Sequence, residues 1–245
     1  MVVGSKGKEE RMSKQRAAEH HSRPPVGRDA LERRSVIAGL AIAGIAGPLI
    51  FAVVALVQSL LRPEHSLVAD PISALAAGPS GWVQDVNFLV LGTLMIVYAI
   101  GLHLGVRPTR WGVVGLAFLV LSGVGLVWAG LFPSTDATGV RWDDRVLHIV
   151  AFPMTFVGAG IGLVAMSRRM AGDPRWRGVA TYALATGIAV LLLLVAGVGL
   201  MRPPGAPLHL WWGLFQRVLL AVWFPCTVVL ALRLLRVARA DDAQR

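Results

Sequence analysis

The chain has 245 residues but only one cysteine, two tyrosines and a charged fraction of 16%. A soluble domain carries about 25% charged residues, so an ordinary water-soluble enzyme is excluded at the outset. The lone Cys226 excludes an intrachain disulfide framework and a thiolate metal cluster. Reaction signatures are missing too: there is no G-x-S-x-G, no H-E-x-x-H, no P-loop and no dinucleotide fingerprint. No cofactor is expected. What the chain has instead is apolar residues (55%), eight Trp and 27 Gly, with a mean hydropathy of +0.63. That is the composition of a bilayer protein, in which small residues pack helices closely and Trp sits at the interfaces.

Charge-free stretches mark the spans. Ser35–Leu61, Val86–Val106, Trp111–Thr135, Val146–Ser167 and Gly178–Met201 run for 27, 21, 25, 22 and 24 residues. Each reaches the ~20 residues needed to cross ~30 Å of hydrocarbon. A sixth, Trp211–Leu232, is full length if Arg217 is accepted about two turns inside one end. The expectation is an all-α polytopic membrane protein of six transmembrane helices, near 35–61, 86–106, 111–132, 146–167, 178–201 and 211–235, paired as three hairpins.

Nineteen of the 24 Lys+Arg fall in the N-terminal tail, two alternate connections and the C-terminus, and five on the other side. The positive-inside rule then predicts that both termini are cytoplasmic. A net charge of +10 sorted in this way is a topology signal, and nucleic acid is not expected as a partner. Residues 1–34 read as a disordered basic tail in which translation starts at Met1 or Met12, and His20-His21 as solvated side chains. Residues 237–245 read as a cytoplasmic C-terminal tail.

Prolines recur at 63, 133 and 203 after the outgoing spans. A triplicated hairpin would produce this spacing, but so would the ordinary use of Pro to end helices, which is preferred. Pro48, Pro153 and Pro225 lie within spans and should kink them. Gly101-x-x-x-Gly105 and Gly158-x-x-x-Gly162 mark close-packing faces. In the first outward loop, Asp70-Pro71 predicts a short helix with Asp70 and Ser73 at its cap, ended by Gly78-Pro79-Ser80-Gly81.

Ionisable groups within a span are costly, so they are expected to pair or to function. Arg217 is expected either to snorkel outward or to pair with an acid at another helix's outer end, Asp85 or Asp144. With Asn87, Arg145, His148 and Gln216, these residues form an expected polar cluster at the outer ends, either a structural clamp or a binding site. Outward His148 and His209 with Asp144 offer a sparse metal-ligand set, and His65 lies nearby. Without H-x-x-x-H spacing they do not predict a metal site.

The run Ile72–Trp82 with Asn87-Phe88 and Ala99–Leu102 resembles the bacterial membrane family known as domain of unknown function 998. So do Ala129–Pro133, His148 with Phe156, and Gly213-Leu214-Phe215-Gln216-Arg217 with Trp223. The resemblance covers roughly Ser35 to Arg236 and implies a six-helix bacterial membrane protein with no established activity. The functional expectation is non-enzymatic binding or organisation of a lipid or partner protein at the outer face. The alternatives are a metal-dependent lipid hydrolase and a lipid or small-molecule transporter. Oligomeric state and protein partners are left open.

Overall fold

In hydrocarbon a backbone segment can satisfy its own polar groups only as a helix or in a closed barrel, and long unbroken apolar runs choose the helix. A computed structural model describes residues 28–133, 142–201 and 208–243, and among these residues regular structure is entirely helical. The six long helices are α1 (Arg28–Leu60), α2 (Trp82–Gly105), α3 (Arg110–Leu131), α4 (Trp142–Ala171), α5 (Arg177–Met201) and α6 (Trp212–Ala243). All six are long and apolar enough to cross a membrane. Two 3-10 turns, Ile72–Ala76 and His209–Trp211, precede α2 and α6.

Several helices outrun the spans read from charge alone. Helix α2 begins at Trp82, four residues before the expected start, because Asp85 in a first turn favours a helix N-terminus rather than interrupting it. Arg28–Arg34, expected in the tail, already belong to α1, and α6 continues through Arg236 and Arg239 to Ala243. Charged residues end an apolar span without ending a helix. The chain divides into two units at Arg34–Ser35, and the bundle belongs to the second. The readings of residues 1–27, including Met12 and His20-His21, lie outside the described residues.

Sequence neighbours are neighbours in space, with α3 against α2 and α4, α5 against α4 and α6, and α6 also against α2. Glycines set the spacing. A Cβ on Gly158 of α4 would lie 2.6 Å from the Ser122 amide nitrogen of α3, and one on Gly92 of α2 would lie 2.6 Å from the Gly123 carbonyl oxygen of α3. Backbones this close leave no room for any side chain. Gly101, predicted as a contact glycine, meets Leu40 Cβ of α1 at 2.6 Å by the same measure.

One end of the bundle is closed by an arginine that a charge count treats as a topology marker. Arg169, near the end of α4, is 2% exposed. The last carbonyls of α2 have no intrahelical partner, and the break before Pro108 frees more. The Arg169 guanidinium donates to them: Nη2 to His103 O at 2.8 Å and to Val106 O, and Nε to Arg107 O at 2.7 Å. Its Nη1 also reaches His103 Nδ1 at 3.0 Å. Asp173, one helical turn further along the chain and fully buried, takes the other half of the same turn, accepting the Arg107 N–H at 3.1 Å. Burial works against the Asp173 carboxylate. It is outweighed by hydrogen bonds from the Arg175 guanidinium and from the backbone N–H groups of Arg107 and Arg175, so the carboxyl is held down at about 2. Arg175 pairs with Asp173 at 2.8 Å, and Arg233 of α6 donates through Nε to the Arg175 carbonyl at 2.7 Å. The α2–α3 and α4–α5 connections are thereby tied to each other and to α6.

Arg168 and Arg169 carry the same charge on the same turn, but Arg168 is exposed over the Trp111 ring at 5.1 Å. Arg169→Met strands several buried carbonyls at about 1–3 kcal/mol each. It is expected to lower the thermal midpoint in detergent by many degrees, while Arg168→Met changes it little. Equal effects in a thermal-shift measurement would show that Arg169 acts only as a charge. In the same assay Gly158→Ala is expected to destabilise by driving α3 from α4. Gly39→Ala, with nothing within 4 Å of the new Cβ, is expected to be neutral or slightly stabilising.

Candidate functional site

At the opposite end, the loop from Leu61 to Gly81 is stitched to α6. The first N–H groups of a helix lack partners, and here the loop supplies them: Leu214 N–H donates to Val68 O at 2.9 Å and Gly213 N–H to Ala69 O at 3.2 Å. A Cβ on Gly213 would run into the backbone of Asp70, so only glycine lets the loop seat this low. In return, Gln216 Oε1 accepts the Ile72 N–H at 2.7 Å, and Arg217 Nη1 donates to Asp70 O at 2.9 Å and to Gly213 O at 3.0 Å. Arg62 holds the far end of the loop, donating to Ala77 O and to Ser80 Oγ at 2.8 Å each. Gly78, at φ +79°, makes the left-handed turn between them, a conformation natural to glycine.

This arrangement corrects two expectations. Asp70 and Ser73 do not cap the short helix: its N-cap position is Pro71, with no side-chain cap bond. The Asp70 carboxylate instead turns back to the Ser66 N–H at 2.8 Å, and a side chain 144 residues away, Gln216, takes the free N–H of Ile72. Nor does Arg217 hydrogen-bond to Asp85. Among the described residues its partners are two carbonyls and His65 Nε2 at 3.1 Å. A carbonyl satisfies a guanidinium N–H without the cost of desolvating a second charge, which decides between the two in an apolar setting.

The other cluster residues are dispersed. Asn87 is buried and joins α2 to α1, donating through Nδ2 to Phe51 O at 3.2 Å and to Gln84 Oε1 at 3.3 Å. Asp85 sits in the first turn of α2, with Oδ1 buried and unpartnered among the described groups. His148 closes the end of α3, with Nδ1 2.7 Å from Phe132 O. A carbonyl only accepts, so Nδ1 carries the proton and the neutral ring keeps Nε2 as an acceptor. Asp144 and Arg145 lie on α4, but their side chains, like those of His209 and Asp143, fall outside the described residues. Among the described residues no three His, Cys, Asp or Glu side chains converge on a point that could hold a metal.

Beneath the seated loop the helices leave a cavity of about 190 Å³. Its walls are aromatic, with Phe51, Phe88, Phe152, Phe156 and Trp212 among them; Phe152 makes tilted ring contacts with Phe156 (4.8 Å) and Trp212 (5.4 Å). Ser73, His148, Thr155 and Gln216 contribute the polar lining, and among the described residues no Asp, Glu, Lys or Arg reaches it. Sequence reasoning named Ser73, His148 and Gln216 but missed the aromatic walls, which lie on four separate helices. The short runs Phe152–Phe156 and Trp212–Phe215 were the available signal. With Gln216 Oε1 taken by Ile72 and His148 Nδ1 by Phe132, the groups left include a Gln216 amide donor, a His148 acceptor and the Ser73 and Thr155 hydroxyls.

His65 is held below its usual 6.5, first by burial and then by the Arg217 charge. The sign follows. The neutral ring is favoured in the fold, so its contribution is complete above pH 6.5 and is lost as pH falls from there. Wild type is expected to exceed His65→Leu by about 1 kcal/mol at pH 8 in detergent. The gap should close below pH 6; a constant gap across the titration would show that the Arg217 contact is not formed.

Residues 45–233 match the family described as "Protein of unknown function (DUF998)". No curated protein and no solved structure matches the chain. The matched segment takes in α2 to α5 whole, the seated loop, the aromatic cavity and the Gly213–Arg217 turn on which the loop rests. The chain belongs to the DUF998 family.

Proposed function

We propose that the protein binds a small uncharged amphiphile in the aromatic cavity, without chemistry, at the outer face of a bacterial cytoplasmic membrane. In this reading the helices pair as three hairpins with both termini cytoplasmic, since nineteen of the 24 basic residues fall on that side. The single observation that carries it is the cavity itself: an apolar space under a loop, lined by rings, with a few polar groups and no formal charge among the described residues. Its size bounds the ligand. A dry apolar cavity of about 150 Å³ accepts a benzene ring. One of 190 Å³ therefore takes a ring or a short chain segment, not a whole two-chain lipid. The Gln216 donor and the His148 acceptor suit a hydroxyl, which both gives and accepts a hydrogen bond. No observation among the described residues favours hydrolysis or transport.

Trp212 in the wall is a built-in reporter. A brominated medium-chain alcohol is expected to quench tryptophan fluorescence of the purified protein saturably, and Ser73→Phe, which fills the rim, to weaken the effect at least tenfold. Linear, unsaturable quenching that Ser73→Phe leaves unchanged would refute the pocket reading.

A further inference from the structure

Outside the cavity, a second apolar space of about 360 Å³ runs between α1 and α6. On α1 it follows Phe51, Ala52, Ala55 and Ser59, and on α6 Arg217, Ala221 and Pro225. Small residues on the two facing helices create the gap. Ala52, Ala221 and Pro225 are exposed, so the groove opens sideways from the bundle rather than to the loop end. From Ser59 to Phe51, and from Arg217 to Pro225, each wall spans about 12 Å at 1.5 Å per residue. One leaflet of hydrocarbon is about 15 Å deep. The groove is therefore close to one acyl chain in length, and the Phe51–Phe224 ring contact at 5.9 Å closes its inner end.

Arg217 stands at the other end, as the single formal charge among the described residues of a lining that is apolar apart from Ser59. Its hydrogen-bond partners are two carbonyls and an imidazole, and among the described residues no carboxylate comes within 4 Å of it. The Asp70 carboxylate acts on it through space, yet Oδ2 is committed to the Ser66 N–H. A guanidinium has five N–H donors, and three contacts leave others to spare. A cation two turns inside a membrane helix, with neutral partners and an acyl-length groove below it, is complementary to one kind of neighbour. We infer that this groove binds an anionic phospholipid from the surrounding bilayer, its phosphate on Arg217 and one chain between α1 and α6. This site is separate from the cavity, with Phe51 and Leu220 lining both and standing between them. It stands whether or not the cavity takes a ligand.

The test is lipid retention by the full-length protein in detergent, counted by native mass spectrometry after addition of phosphatidylglycerol or phosphatidylcholine with identical chains. Wild type is expected to retain one phosphatidylglycerol about tenfold better than phosphatidylcholine. Arg217→Gln should reduce phosphatidylglycerol to the phosphatidylcholine level. Ala221→Phe, at an exposed position, should lower its occupancy about tenfold with the charge intact, and it decides the matter if Arg217→Gln fails to fold. Equal retention of the two lipids by wild type overturns the inference. So does a preference that survives Arg217→Gln, one that disappears with Arg62→Gln instead, or an Ala221→Phe protein that binds like wild type.

Discussion

A helix that stops leaves backbone N–H and C=O groups without partners, and near a bilayer those groups must be satisfied from within the protein. Both ends of this bundle are organised by that demand. At one end the carbonyls of the α2–α3 turn receive Arg169 and its N–H receives Asp173. At the other, the N–H groups that open α6 receive loop carbonyls, while Gln216 and Arg217 attend to Ile72 and Asp70. His148 does the same for the end of α3. In each case the partner comes from a different helix or connection, so satisfying the backbone also fixes how the elements meet. Polar side chains here act as connectors of the fold before they act on any ligand.

The two spaces in the bundle follow from that fixing. Close contacts at glycines, Gly92 against Gly123 and Gly125 against Thr155, draw α2, α3 and α4 together. The seated loop roofs the gap left between them and α6, and that gap is the aromatic cavity. Between α1 and α6, alanines and Pro225 face each other and leave the lateral groove. Phe51 and Leu220 line both spaces. A ligand in one therefore shares walls with a lipid in the other, and a change of rotamer at Phe51 would be felt in both.

Hydropathy made the six helices legible, because the cost of a charge in hydrocarbon is large and local. The polar contacts were not legible, for a physical reason that differs residue by residue. Asp70 beside Pro71 satisfies every local rule for a helix cap, yet the N–H it should take is claimed by Gln216, which sequence distance hides. Arg217 signals that it needs a partner, but Asp85 is not it, because carbonyls come without desolvation of a second charge. Arg169 was counted as one more basic residue on the cytoplasmic side. Nothing in the adjacent pair Arg168-Arg169 says which of them is buried. Gly213 and Gln216 stood inside the run that pointed to the family, and the structure supplies their reason: they form the seat of a loop more than 130 residues earlier.

The account rests on loop and turn amides being held by side chains and carbonyls of distant helices. Hydrogen–deuterium exchange of the detergent-solubilised protein measures this directly at Ile72 and Arg107, neither of which lies in an α-helix. Protection at both amides comparable with the helix interiors is the result expected. Exchange at the rate of unprotected loop amides, with the six helices still protected, would contradict it.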